Sequence, residues 1–164
     1  MDEQPSISSF KARGGYWLIG QGILFVLYAA ALIAPVKWFT LPLFGNLGHV
    51  TGALLAILGI WMGISAFWTL GKSLTPFPAP LQNAQLVAYG VYRIVRHPIY
   101  GALFLLGLGV AFWVNNLGAA AVAILLLLFF RLKSGQEEVF LVGKYPDYVA
   151  YQKKTRKRLI PFLW

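Results

Sequence analysis

Four long apolar stretches alternate with polar segments along the chain. The first runs from about residue 16 to 35 and the second from about 48 to 70. Each meets the roughly 20 residues that a spanning helix needs. The third, 98–114, and the fourth, 117–132, are separated only by Asn115-Asn116, a turn signal. Both are short for full spans, so they read as a tight helical hairpin, tilted or sheltered by protein. The pattern predicts an all-α integral membrane protein: four transmembrane helices plus a cytoplasmic C-terminal helical segment. Residues 1–164 form a single membrane domain. It divides into a cytoplasmic tail (1–15), two transmembrane helices (16–70), a cytoplasmic loop (71–97), the hairpin (98–132) and a basic C-terminal segment (133–164). The opening Met1-Asp2-Glu3-Gln4-Pro5 lacks the basic start of a signal peptide, so the first apolar run is expected to stay as a helix.

Within the second stretch Gly48, Gly52 and Ala56 recur every four residues, and Gly59 and Gly63 repeat that spacing. Small residues at this period let helix backbones approach closely. The stripe serves a monomer core or a dimer equally well, so the oligomeric state stays open. Gln21, the one strongly polar side chain in the first stretch, reads as an interhelical hydrogen-bond partner. His49 reads as a satisfied interfacial histidine. The prolines of Thr75-Pro76-Phe77-Pro78-Ala79-Pro80 forbid regular helix. They lie in the longest non-apolar connection, and long ordered loops are often functional.

Only 12% of residues are charged, against about 25% in soluble domains. The absence of cysteine excludes disulfides, thiolate metal sites and cysteine nucleophiles. With only His49 and His97, no metal site is expected either. The net charge of +9 has a one-sided distribution. If the chain crosses the membrane four times, thirteen of the 14 Lys and Arg residues share one face and only Lys37 lies on the other. This positive-inside bias places both termini and the long loop in the cytoplasm. The charge therefore suits membrane lipids, and no nucleic-acid partner is expected.

Gly90 to Tyr100 gathers two arginines, a histidine and two tyrosines before an apolar run. Pro98 suits the first position of a helix. Arg93, Arg96 and His97 then stand at a helix N-terminus, where free N–H groups and the dipole attract anions. Polar groups at such a place are expensive and usually functional, although Arg93 alone reads as a headgroup anchor. Glu137-Glu138 stands out among only five acidic residues. A hairpin turning at Asn115-Asn116 brings this doublet next to the Arg93–Tyr100 cluster. The doublet reads either as an ion pair with Arg131 or Lys133, or as half of a site for a small molecule carrying both charge signs. S-adenosylmethionine is such a molecule.

Leu86-Val87, Gly90-Val91-Tyr92, Arg96-His97-Pro98-x-Tyr100, Glu137-Glu138-x-x-Leu141, Tyr148-x-x-Tyr151 and Arg158-Leu159-Ile160-Pro161 follow one another here. Their order and spacing resemble the isoprenylcysteine carboxyl methyltransferase family, whose wider group includes phospholipid N-methyltransferases. The resemblance covers the C-terminal half. It implies S-adenosylmethionine as cofactor, held by Leu86, Val87, Tyr92, His97, Pro98, Ile99, Tyr100 and Glu137. Arg96 and Glu138 join that set on their charge. The family's eukaryotic members carry a histidine where this chain has Ala84, and a substrate-binding arginine where it has Lys133. Lysine keeps the charge but loses the planar fork. Arg131, Lys133 and Arg158 are the candidates for holding the methyl acceptor, a lipophilic small molecule or lipid entering from the bilayer. Competing readings are a phospholipid amine N-methyltransferase, an NADPH-dependent membrane reductase and a non-enzymatic membrane scaffold. No glycine-rich dinucleotide fingerprint supports the reductase.

Overall fold

A computed structural model describes residues 9–34 and 45–160. The expectations for the first eight residues, for the connection that carries Lys37 and for the apolar end after Ile160 lie outside the described residues. The chain folds into α1 (Gly15–Ile33), α2 (Gly45–Leu70), α3 (Pro98–Trp113), α4 (Leu117–Lys144) and a short α5 (Tyr148–Lys154). Among the described residues there is no strand. Three helical stretches, Gly15–Ile33, Asn46–Ser73 and Leu117–Lys144, are long and apolar enough to cross a membrane. With 16 residues, α3 is the short one. At about 1.5 Å per residue it reaches roughly 24 Å, less than a hydrocarbon core of about 30 Å.

The glycine stripe of α2 is used inside the chain. A Cβ on Gly52 would meet Gly109 O and Trp113 N of α3, both at 2.6 Å. One on Gly59 would meet Leu106 N at 2.7 Å and Ala102 O at 2.9 Å. Gly109 answers from α3, where a Cβ would lie 2.6 Å from Ala56 N. Backbone therefore lies on backbone along this seam. Met62, Ala66, Ala102 and Leu105 continue the packing from this seam toward Val91 and Tyr92. His49 is exposed on α2, its ring 5.5 Å from Trp113.

The turn at Asn115-Asn116 forms as expected. Asn115 takes a left-handed conformation with φ 52°, which asparagine tolerates. The Asn116 side chain accepts from Ala119 N at 2.9 Å and so caps α4. Its Nδ2 donates to Ala31 O at 2.8 Å, tying the turn to α1. Below the turn, α4 packs on α3 and α1 through Ala119, Ala120, Leu126 and Phe130.

One boundary differs from the sequence expectation. The fourth apolar run ends at residue 132, yet α4 continues to Lys144. The polar run Lys133-Ser134-Gly135-Gln136-Glu137-Glu138 marks a change of surroundings, not the end of a helix. Lys, Gln and Glu are good helix formers. The extension carries α4 beyond the hairpin, where Lys144 Nζ donates to Leu81 O and, at 2.8 Å, to Gln82 O. Tyr145 OH donates to Ala84 O at 2.7 Å. The proline-rich connection is thus tied down by the end of α4.

Candidate functional site

The mouth of α3 is shaped by local turns. Gly90, at φ 59°, sits against Thr69, where a Cβ would be 3.1 Å from its hydroxyl oxygen. It opens a single 3₁₀ turn, Gly90–Arg93, that buries Val91 and Tyr92 and leaves Arg93 exposed. The exposure of Arg93 suits a headgroup anchor. Arg96 N and His97 N then donate to Lys157 O and Arg158 O, at 3.0 and 2.8 Å. This pairing pulls the segment after α5 across the start of α3. Pro98 is buried at the first position of α3. The His97 side chain does not cap the helix, because both ring nitrogens are engaged elsewhere.

Nδ1 of His97 lies 3.1 Å from Glu137 Oε2, and Nε2 lies 3.1 Å from Glu138 Oε1. A neutral imidazole donates from only one nitrogen; an imidazolium donates from both. Burial pushes the imidazole pKa down, but the hydrogen bonds and charges of Glu137 and Glu138 outweigh it and hold His97 above its ordinary value. His97 is accordingly the cation between two carboxylates.

The two glutamates have different surroundings. Glu138 is buried and fully subscribed. Besides His97 it receives Arg96 Nε at 2.7 Å, Arg158 Nη2 at 2.9 Å and Gln152 Nε2 at 3.0 Å. Arg96 Nη1 donates to Thr155 O at 2.6 Å and Arg156 O at 2.9 Å. Glu138 therefore binds α4 to the mouth of α3, to α5 and to the segment behind it. Glu137 contacts His97 and accepts from Tyr100 OH, and it faces a cavity.

That cavity has a volume of about 330 Å³. Drug-sized ligands occupy pockets of roughly 300–1,000 Å³. Leu86, Val87, Tyr92, Arg96, His97, Ile99, Tyr100, Lys133 and Glu137 all line it. The remaining expected site residues stand elsewhere. Pro98 is buried in the mouth of α3, Glu138 and Arg158 form the ion-pair network behind the wall, and Arg131 is not on the cavity surface. Neither of the sequence alternatives for the doublet holds whole: Glu138 pairs with Arg96, His97 and Arg158, not with Arg131 or Lys133, while Glu137 faces the cavity.

Several lining groups were not among the site residues expected from sequence. Gln21 of α1 reaches the cavity, as do Pro76, Phe77 and Pro78 from the proline-rich connection and Tyr145, Tyr148 and Tyr151 from the end of the chain. The tyrosines carried a signal in their spacing, since Tyr148 and Tyr151 share one face of a helix. Burial raises the hydroxyl pKa of Tyr92, Tyr148 and Tyr151, so all three are neutral phenols near pH 7. Tyr151 OH donates to Tyr92 O at 2.6 Å. Tyr100 stacks on Phe130, with ring centroids 4.6 Å apart. One turn before Glu137 on the same helix, Lys133 is buried and donates to Gln21 Oε1 at 2.7 Å and Pro76 O at 2.9 Å.

Helices apolar enough to cross a bilayer, with a cavity at one end lined by both acidic and basic side chains, mark an integral membrane protein. The family model for phospholipid methyltransferases matches residues 47–148, and the chain belongs to that family. It is 33% identical over 102 residues to a protein-S-isoprenylcysteine O-methyltransferase of Schizosaccharomyces pombe, covering 60% of this chain and 43% of the relative. It is 30% identical over 121 residues to the Homo sapiens protein of the same name, covering 70% and 41%. The cobalt-zinc-cadmium resistance protein CzcN of Cupriavidus metallidurans is 27% identical over 149 residues, covering 88% and 62%. The chain thus spans about two fifths of the length of the two methyltransferases it matches.

Proposed function

We propose that the chain is an S-adenosylmethionine-dependent methyltransferase acting on a lipophilic acceptor at the membrane. The observation that carries this reading is the division of labour between the adjacent glutamates. One is consumed by the fold, and the other is held by His97 and Tyr100 facing a cavity of ligand size.

The residues fit the cofactor's chemistry. Glu137 suits the positive charge of its ammonium and sulfonium. Arg96 and the N-terminus of α3, which has no side-chain cap, suit its carboxylate. Leu86, Val87 and Ile99 offer an apolar wall for adenine, with Tyr92 beside them. When bound, the cofactor supplies an electrophilic methyl group on a sulfonium with a good leaving group. The protein's share is then mostly positioning and exclusion of water. Lys133 is the cation placed to receive the acceptor. Arg131 and Arg158 are not part of this proposal, because neither lines the cavity.

In the same reading α3 completes four membrane crossings, aided by its packing between α2 and α4. Both termini, the connection 71–97 and the cavity mouth face the cytoplasm, in line with the one-sided Lys and Arg count.

The test is ligand titration of the purified protein, followed by transfer of tritiated methyl groups into membrane extracts. Wild-type protein is expected to bind S-adenosylmethionine and not NADPH. Glu137→Gln keeps the shape and removes the charge, so affinity should fall about tenfold or more, as for loss of a charged hydrogen bond. Saturable NADPH binding with none of S-adenosylmethionine defeats the proposal.

A further inference from the structure

Lys133 is a buried ammonium on the cavity wall, and among the described residues no carboxylate lies within ion-pair distance of it; Glu137, one turn along α4, reaches it only as a more distant charge. A charge in such a place normally needs compensation. What Lys133 has instead is two neutral acceptors from separate parts of the chain: Gln21 Oε1 on α1 and Pro76 O on the proline-rich connection. Its Nζ also lies 5.2 Å from the centroid of the Tyr100 ring. An ammonium carries three donors, and these two bonds leave one.

Gln21 is the unexpected member. Trp17, Gln21, Leu24 and Tyr28 follow helical spacing along one face of α1. Trp17 packs on Phe129 of α4, and Leu24 and Tyr28 pack around Leu126 and Phe130. An apolar residue at position 21 would continue that packing. A glutamine there must be satisfied, and its carbonyl meets Lys133. Gln21 also lies outside the residues 47–148 matched by the family model.

We propose that Gln21 is a positioning residue for the methyl acceptor and acts by orienting the Lys133 ammonium on the cavity wall. This rests on the reading in which Lys133 receives the acceptor. A lysine stem turns freely about its carbon–carbon bonds, whereas a guanidinium presents a preformed planar fork. Gln21 and Pro76 O together fix two of the three N–H directions, and the remaining one becomes a defined donor toward an anionic or strongly polar acceptor group. Lysine at position 133 therefore works with glutamine at position 21 as a pair, and arginine at 133 has less need of it.

The experiment has a chemical arm and a kinetic arm. In the first, the rate at which Lys133 is acylated by a small amine-reactive reagent is followed by mass spectrometry in intact protein. Gln21→Leu removes an acceptor that favours the charged amine, so modification should speed up roughly threefold or more at fixed pH. In the second, Gln21→Leu should raise the acceptor KM about tenfold while leaving kcat and S-adenosylmethionine affinity within about twofold. The isosteric Gln21→Glu should also raise that KM, because its carboxylate competes with the acceptor for Lys133. A purely space-filling glutamine would tolerate this change. In a Lys133→Arg background, the effect of Gln21→Leu should shrink below about threefold. Unaltered Lys133 reactivity, or an equal loss in the Lys133→Arg background, overturns the assignment of Gln21 alone. A wild-type protein that transfers no methyl group overturns the functional reading and this one with it.

Discussion

The seam between α2 and α3 and the knot around Glu138 hold the molecule in opposite ways. The seam has no charge. Gly52, Gly59 and Gly109 let two backbones touch, and dispersion between close surfaces does the rest. The knot has little apolar surface and gathers Arg96, His97, Arg158 and Gln152 on one buried carboxylate. Lipid cannot drive helices together by the hydrophobic effect, so the seam must rely on shape. Near the cavity the problem is reversed, because buried charges there must be paired with one another. Shape fixes the seam, and charge fixes the end that carries the cavity.

The largest effect should come from the knot. Glu138→Ala leaves Arg96 and His97 buried without their main counter-charge, and removing one partner of a buried pair typically costs about 3–5 kcal/mol. We expect Glu138→Ala to yield little folded protein in detergent, with a thermal midpoint far below that of Glu137→Gln. Similar midpoints for the two would erase the distinction between the glutamates. The seam should be next. Gly52→Val forces a branched side chain against backbone already 2.6 Å from a Cβ. Overpacking of this kind costs roughly 1–3 kcal/mol, visible as a lower midpoint with the pH dependence of stability unchanged.

The smallest effect is that pH dependence itself. The pKa of His97 is held above its ordinary value by Glu137 and Glu138. Its contribution is therefore fully present below pH about 6.5 and is lost as pH rises through the raised folded value. Thermal midpoints measured from pH 6 to pH 9 should decline for the wild type, and His97→Gln should flatten that decline. A wild-type profile that rises over this range would mean that His97 is not the cation of the knot.

Much of the membrane half was legible from sequence. Its signals are local: apolar run lengths, the asparagine pair at the turn, the small-residue period, and a single glutamine that needed a partner. The site was legible in part. Glu137 and Glu138 read as a doublet because they are neighbours in sequence. On a helix, successive side chains diverge by about 100°, so one faces the cavity and the other the segment behind α5. Hydropathy reported where α4 leaves an apolar setting, not where the helix ends, so the reach of Lys144 and Tyr145 to the proline-rich connection was hidden. Arg158 looked free for an acceptor because its partner lies 20 residues away on another element.

The backbone pairing of Arg96 and His97 with Lys157 and Arg158 has a consequence for how the protein is made. Arg96 and its contact at Thr155 are 59 positions apart. The mouth of α3 leaves the ribosome and meets the bilayer well before the segment that seals it exists. Until then Arg96 and His97 lack the late carbonyls of residues 155–158, even once Glu138 has been made. Closure of this end therefore waits for residues 155–158, and a nascent chain halted before residue 155 would carry α3 with its mouth unsealed.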